Sequence, residues 1–335
     1  MTEIAAHLRL HWLVACTTQE LRLKPLAVTV MGTPLVIYRS GDSIVAAEDR
    51  CPHRNAPLSA GSVHDGCIRC PYHGWEFNGV GQCAAAPGIS KTELPNVALR
   101  RWQVQVVDEL IWVAAPETPM TRRPYQRTLD AAYSGFTLSA DLVAELADAI
   151  ENLLDGTHTP FVHSGLVRGN AKQQHFTATV RRFDHCIEAE YRGETGQNGL
   201  ISRLFEPQRE VSFGRYVPPF SAELEYRSTK RTELFVVSHF TPTSPGRVRV
   251  FASCYLPASR LPNAIRFAVL RPFFKRVLHQ DRHILKLQQE NIATFGAPAY
   301  VHWSADLMRR WIDAWLAHET FPPQPLGPHE VRFEL

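Results

Sequence analysis

Four cysteines, Cys51, Cys67, Cys70 and Cys83, fall within 33 positions of one another, and two of them open a matched pair of short motifs, Cys51-Pro-His-Arg54 and Cys70-Pro-Tyr-His73. Each half supplies one thiolate and one imidazole, and a proline stiffens each loop directly after its cysteine. Two thiolates suit one iron and two imidazoles a second, the ligand set of a [2Fe–2S] centre in which two histidines replace two cysteines. Neutral imidazoles in place of thiolates remove negative charge and raise the reduction potential. On this reading Cys51, His53, Cys70 and His73 bind the cluster, and Gly74, Gly79 and Gly81 allow the turns that wrap it. Structural zinc accepts the same four donors, and Cys67-Ile-Arg-Cys70 offers a CxxC in which Cys67 would be a ligand. Zinc ribbons use such pairs at both ends, whereas the first half here is Cys-x-His. That difference favours iron and sulfide, leaving Cys67 a small buried residue and His64 a loop histidine.

A second group of donors follows in Glu151-Asn-Leu-Leu-Asp-Gly-Thr-His-Thr-Pro-Phe-Val-His163. Asp141, Glu145, Asp148, Asn152 and Asp155 recur at three- and four-residue steps, so on one helix they share a face. For Asp141, Glu145 and Asp148 a solvated acidic stripe is the expectation. One further step reaches His158. In an unbroken helix His158 and His163 would point about 140° apart. Pro160 disfavours helix at Thr159, so the chain can bend there and let both imidazoles meet one ion. The third ligand is Asp281, which shares the apolar face of a helix over 275–290 with Val277, Leu278, Ile284, Leu285 and Gln288. A carboxylate on such a face is costly without a cation or strong hydrogen bonds. A salt-bridged or N–H-bonded Asp281 is the structural alternative, and Glu290 the next candidate ligand. Two histidines and one carboxylate form a facial triad with positions open for O2.

The elements that must hold these residues divide into two sets. Short strands separated by Gly, Pro and Asn turns crowd the first 115 residues, at Ala27–Met31, Leu35–Tyr38, Ile44–Ala47, Arg101–Val107 and Leu110–Val113, and predict a small antiparallel β domain over 1–115. A Pro-rich basic stretch, Pro116–Arg127, reads as a linker. The second domain, 116–335, begins with helical periodicity from about Ser139 to His158, carried by Leu142, Leu146, Ile150 and Leu153. Strands return from Phe176 to Leu256, with clean alternation in Ile187–Tyr191 and Val248–Ala252. Helices follow around Arg271–Glu290 and Ser304–His318. The fold class is therefore α+β, an antiparallel sheet with flanking helices.

Composition sets outer bounds. The 335 residues are 44% hydrophobic and 21% charged, with a formal net charge of +3, an ordinary globular balance with no nucleic-acid footprint. Seven cysteines, an odd and clustered set, favour metal ligation over disulfides in a reducing compartment. The first residues carry no signal-peptide pattern and no stretch approaches the ~20 apolar residues of a membrane span, so a cytoplasmic location is expected. In the region 199–240, Phe205, Phe213, Tyr216, Phe220 and Phe235 are candidates for lining a substrate pocket, each alone being a normal core residue. Arg203, Arg209 and Arg215 could hold a carboxylate, a solvated strand face being the plainer reading. The basic, apolar stretch Arg266–Leu278 is expected to pack on the sheet rather than lie on a membrane.

Taken as a set, these motifs resemble those of the Rieske non-haem iron oxygenases. Asn152-x-x-Asp155-x-x-His158-x4-His163 resembles the mononuclear-iron motif of their α subunits, and Gln280-Asp281 with Ile284-Leu285 and Gln288-Gln289 resembles their third-ligand helix. The resemblance spans both domains. It implies a helix-grip-like catalytic domain, a Rieske [2Fe–2S] cluster with a mononuclear Fe(II), and a homotrimer fed by a separate NAD(P)H-dependent reductase or ferredoxin. The length is similar to that of the homotrimeric O-demethylase and natural-product hydroxylase branch, which implies hydroxylation or oxidative demethylation of a small organic substrate, with cis-dihydroxylation or desaturation as alternatives. It also implies that Asp155 bridges the two centres, accepting hydrogen bonds from the partner subunit's His73 and from its own His158. An electron carrier with only the cluster, or a zinc-stapled binding protein, are the competing classes.

Overall fold

The computed structural model describes residues 6–127, 129–130, 132–167, 175–193, 199–200, 208–322 and 329–334. They fall into two compact units, one of residues 2–126 with 241–245 and one of residues 127–240 with 246–335. Antiparallel sheets dominate both.

The first unit contains a six-stranded sheet in the order β1 (Leu13–Thr17), β10 (Leu110–Ala114), β9 (Arg101–Val107), β4 (Ser43–Glu48), β3 (Thr33–Ser40) and β2 (Leu26–Val30). Two-residue turns join β2 to β3 and β3 to β4. Met31 and Gly32 take positive φ values of 49° and 78° there, and Gly41 takes 60°, as turns with a hairpin twist require. A second sheet of four very short strands, β5 (Ser62–His64), β6 (Cys67–Arg69), β7 (Glu76–Phe77) and β8 (Cys83–Ala85), carries the cysteine-rich loops. Val36, Tyr38, Leu58, Ile68 and Phe77 form the core beneath those loops. The four-stranded sheet was not foreseen from the sequence, because two- and three-residue strands are too short to show alternation.

The second unit is built on an eight-stranded antiparallel sheet ordered β11 (Ser134–Val143), β17 (Arg247–Leu256), β16 (Thr232–Ser244), β15 (Ser221–Arg227), β14 (Val211–Val217), β13 (Ile187–Arg192), β12 (His175–Arg182) and β18 (His329–Glu334). Helices α1 (Leu146–Leu154), α3 (Asn263–Phe295) and α4 (Arg309–His318) cover one face, with a short α2 (Thr159–Val162) between the first two. Ile150 and Leu154 of α1, Leu285 of α3 and Trp311 and Ile312 of α4 join Leu142, Tyr216, Phe240 and Val250 of the strands in one core. This is the expected α+β layering. Among the described residues no helix is long and apolar enough to cross a membrane.

Two expectations require correction. The helix expected from Ser139 starts only at Leu146, because Ser134–Val143 is a strand paired over ten residues with β17. Phe136, Leu138, Ala140 and Leu142 alternate there, and pairing along a whole strand outweighs the weaker 3.6-residue match. Asp141 is therefore a strand residue opposite Arg249, and no continuous acidic stripe exists. The long helix, in turn, begins at Asn263 rather than Arg271 and carries Pro272 inside it. Leu270 is fully buried, and Phe267 and Phe274 pack edge-on against Phe136 at 5.3 and 6.1 Å. Those contacts hold the turns before Pro272 on the sheet and offset the missing hydrogen bond.

Candidate active site

The two cysteine loops share one hydrogen-bond plan. The Cys51 carbonyl accepts from Asn55 N–H at 2.8 Å while Cys51 N–H donates to Ala56 at 2.9 Å; the Cys70 carbonyl accepts from Gly74 N–H at 3.1 Å while Cys70 N–H donates to Trp75 at 2.8 Å. The residue four places on is left-handed in both, Asn55 at φ 62° and Gly74 at φ 69°. A Cβ on Gly74 would lie 3.1 Å from Pro87 Cγ, so glycine serves both the turn and the close approach. Both sulfurs are buried, Cys51 at 1% and Cys70 at 3% exposure. The His53 and His73 rings lie 4.6 Å apart, and Trp75 stacks on His53 at 4.5 Å and 8°. Burial and the adjacent Cys70 sulfur push the Cys51 thiol above its usual range against two backbone N–H donors, while His53 Nδ1 is buried with no hydrogen-bond partner. Paired buried sulfurs and an orphaned imidazole nitrogen fit a [2Fe–2S] cluster bound through two thiolates and two imidazoles. His73 is exposed, so that side of the loops meets solvent. Cys67 lies on β6 opposite His64 and is half-buried, not buried as expected.

The second site forms where α1 ends. Asp155 leaves the helix in an extended conformation and its Oδ1 accepts from Thr157 N–H and Oγ1 at 2.7 and 2.6 Å. That turn redirects the chain, and Thr159 Oγ1 fixes it by donating to Gly156 at 2.9 Å. Pro160 then sits in the first turn of α2, where its missing N–H costs nothing. The proline starts a new helix, and the break falls earlier than Thr159, at residues 155–158. His158 and His163 flank α2 and their Nε2 atoms come within 3.3 Å. Asp281 on α3 places Oδ1 2.9 Å from His163 Nε2 and 3.5 Å from His158 Nε2. Donors about 2.1 Å from one ion and at right angles to each other stand about 3 Å apart, so this spacing fits a facial triad. Asp281 Oδ1 is buried without a directional hydrogen bond, as a lone pair awaiting a cation would be.

The outer nitrogens are backed. His163 Nδ1 lies 3.0 Å from Gln280 Oε1, so it donates there and turns the Nε2 lone pair inward. Asp155 Oδ2 lies 3.6 Å from His158 Nδ1. Burial works against charge on His158, yet the carboxylates of Asp155 and Asp281 hold its pKa up at about 9. Against the effect of burial, His158 and Thr157 hold the Asp155 carboxyl below the usual range, and both histidines do the same for Asp281. Glu290, the alternative ligand, is exposed and faces Lys286 at 3.5 Å; nine residues along a helix place it about 13 Å from Asp281.

Asp148, one helical step before the site, is buried rather than solvated. Arg309 Nη1 donates to Asp148 Oδ1 and to Glu151 Oε2, both at 2.7 Å, and Tyr300 OH donates to Asp148 Oδ2 at 2.9 Å. Sequence reasoning missed this network and the role of Gln280. A carboxylate at helical spacing looks the same whether water or a distant arginine meets it.

The triad lines a cavity of about 120 Å³ between the helices and the sheet. Leu138 and Leu142 of β11, Leu224 of β15, Leu234, Val236 and Phe240 of β16, and Phe274 and Val277 of α3 supply large apolar side chains to its wall. A second, polar cavity of about 290 Å³ lies on the other side of His158, which borders both, and is lined by Asp148, Glu151, Asp155, Tyr300 and Arg309. Of the aromatics expected in the pocket, Phe213, Tyr216, Phe220 and Phe235 are core residues outside the apolar cavity. The region was right but the strand face was not, since even-numbered residues of β16 point inward. Arg215 binds Glu188 and Glu225 at 2.6 and 2.8 Å, and Arg209 is buried over Tyr226, so neither is a solvated strand residue. Phe205 and Arg203 lie outside the described residues.

Known proteins resemble both units. Residues 11–103 match the Rieske [2Fe-2S] domain, and residues 144–318 match the vanillate O-demethylase oxygenase C-terminal domain. The oxygenase component of dicamba O-demethylase from Stenotrophomonas maltophilia is 37% identical over 176 residues, which is 51% of this chain and 50% of that protein; the match thus spans about half of that relative's length. Vanillate O-demethylase oxygenase subunit from a Pseudomonas species is 27% identical over 92% of this chain and 94% of its own. A crystal structure of dicamba monooxygenase bound to 3,6-dichlorosalicylic acid superposes with a TM-score of 0.81 at 23% identity, covering 94% of this chain and 99% of that one. The second domain match alone takes in just over half of the 335 residues, the stretch that brings two histidines and an aspartate together, and by it the chain belongs to the Rieske oxygenases of the vanillate O-demethylase type.

Proposed function

We propose that the chain is a terminal oxygenase component, which uses O2 and electrons from a separate NAD(P)H-dependent reductase or ferredoxin to hydroxylate, or oxidatively demethylate, a small organic molecule. The observation that carries this reading is the convergence of His158, His163 and Asp281 in the wall of an apolar cavity, in a chain that also builds the paired cysteine loops. Overall, one oxygen atom enters a C–H bond and the other leaves as water, with two electrons and two protons consumed. Oxidation at a methyl ether gives a hydroxymethyl group that collapses to formaldehyde and an alcohol.

When bound, the iron supplies O2 activation and the cluster supplies one-electron transfer. The side chains do the remainder. Cys51, His53, Cys70 and His73 would hold the cluster, and His158, His163 and Asp281, which border the apolar cavity, would hold the iron. Gln280 fixes the His163 tautomer by accepting from Nδ1. The apolar wall excludes water around the substrate.

Asp155 we assign as the link between the centres of adjacent subunits. Its support is a carboxylate 3.6 Å from His158 Nδ1, on the polar cavity and away from the apolar one, while His73 is exposed. Such a link requires an oligomer, and the family resemblance supports a homotrimer. Tyr72 and Phe161, 65% and 80% exposed, offer apolar surface beside His73 and His158 for the contact. The division into residues 1–115 for the cluster and 116–335 for catalysis, and the cytoplasm as location, belong to the same reading.

The test is oxygen uptake by the purified, iron-replete protein with a surrogate reductase, followed by mass spectrometry of products formed under 18O2. Substrate-dependent uptake with one labelled oxygen in the product is expected. A colourless protein with stoichiometric zinc and no sulfide would overturn the reading.

A further inference from the structure

The even-numbered residues of β16 make a row along the cavity, Leu234, Val236, Ser238 and Phe240. Three are large and apolar. The fourth is a serine with 1% exposure whose Oγ is buried without a hydrogen-bond partner. The neighbouring strands supply no hydroxyl to meet it at that point: Ala222 stands opposite on β15, and Ala252 and Val250 line the cavity from β17. Outside the triad the other hydrogen-bonding side chains with oxygen in the wall are Asn152, Thr159 and Tyr226, and Thr159 already donates to Gly156. A buried hydroxyl with no partner, such as that of Ser238, loses its hydrogen bonds to water and receives nothing in return. Alanine or valine would fill the position at lower cost, so the hydroxyl makes sense as half of a hydrogen bond whose other half arrives with a ligand.

The rest of the wall bounds that ligand. Among the described residues the cavity is lined by no lysine and no arginine, and its ionisable members are the three residues of the triad and two weakly acidic groups, Tyr226 and Cys254. Among the described residues, a substrate carboxylate would find no lysine or arginine there. The volume of about 120 Å³ is near that of an apolar cavity known to accept a benzene ring.

We infer that Ser238 is a specificity-determining residue that anchors the substrate by one hydrogen bond, and that the substrate class is an uncharged, ring-sized, largely apolar molecule bearing a hydrogen-bonding oxygen. This rests on the oxygenase reading of the site only for its word substrate; the anchor itself is a binding property.

Three probes that differ in one substituent test it: toluene, 4-methylphenol and 4-methylbenzoate, titrated calorimetrically into the holoprotein and its Ser238→Ala variant, with iron and sulfide assayed on the same samples. One net hydrogen bond corresponds to about five- to tenfold in affinity. The 4-methylphenol to toluene affinity ratio is expected to fall by that factor in Ser238→Ala, while toluene binds no more weakly and 4-methylbenzoate binds worst to both proteins. The variant without ligand should also melt no lower than wild type, because the hydroxyl it loses has no protein partner. An unchanged ratio, 4-methylbenzoate binding best, or no binding of either neutral probe overturns the inference. So does a melting temperature lowered by several degrees, which would mark a structural hydroxyl. Missing iron and sulfide would instead remove the oxygenase reading, and the affinity ratios would still decide the anchor.

Discussion

Arg309→Met tests how the α1 helix is held beside the metal site. The guanidinium is 10% exposed and its Nη1 bonds Asp148, whose side chain is 3% exposed, and Glu151, at 25%; Nε reaches Asp313 at 2.8 Å, where exposure is 47%. Removing the arginine frees Glu151 and Asp313 to find water but leaves the Asp148 carboxylate buried with only the Tyr300 hydroxyl. Loss of one partner from a buried pair costs about 3–5 kcal/mol. The more exposed pairs add little, since exposed ion pairs contribute about 0–1 kcal/mol. At about 2–4 °C per kcal/mol for a unit of this size, the melting temperature should fall by about 6–20 °C. The control is Arg309→Met combined with Asp148→Leu, which removes both buried charges and should recover most of the loss. Differential scanning calorimetry of the three proteins at neutral pH reads the result. A shift below 2 °C in the single variant, or a double variant worse than the single, refutes the argument that Arg309 neutralises a buried carboxylate.

Other perturbations separate the two metal centres. Cys51→Ser or Cys70→Ser should abolish the red-brown colour and the EPR signal of the reduced cluster, whereas Cys67→Ser should keep both. Asp281→Ala should lose the mononuclear iron and all oxygenation with the cluster spectrum intact; iron and turnover retained there would refute Asp281 as a ligand. Asp155→Asn should leave both centres loaded while turnover drops by about 10–100-fold, and trimers mixed from His73→Ala and His158→Ala subunits should regain activity that neither variant has. Folded mixed trimers without activity would count against transfer between subunits. His239, wholly buried beside Ser221 Oγ at 2.8 Å, has its pKa lowered by burial to about 3. The unfolded chain takes up a proton below about pH 6.5 that the fold refuses, so stability should fall as pH drops, by about 2 kcal/mol at pH 5. His239→Gln should flatten that slope in urea titrations, and an unchanged slope would exclude His239 as its source.

The cluster loops were legible because their donors are neighbours in the chain, with Cys and His two or three residues apart and the turn-forming Asn55 and Gly74 just behind. Asp281 was legible for a different reason, a charge on an apolar helix face that something must meet. Residues whose meaning depends on a distant partner were not. Asp148 has the spacing of a solvated carboxylate until Arg309, 161 positions later, is folded onto it. Ser139–Val143 fits a helix until β17 pairs with it. Phe235 and Val236 are both apolar, and only the register of β16 says which one faces the cavity. Gln280 gains its role from His163, on another element altogether.

The triad and the cavity wall have separate origins. His158, His163 and Asp281 come from helix ends and from α3, whereas the row that ends at Phe240 comes from the sheet. Substitutions along β16 and β17 can therefore reshape what fits without moving any of the three proposed metal ligands. One scaffold can thus change its diet while keeping its chemistry, and drift in the sheet face should proceed faster among relatives than drift around α2. Laboratory selection for a new substrate should accordingly accumulate its first changes at Leu234, Val236, Ser238 and Ala252, and leave Gln280 alone.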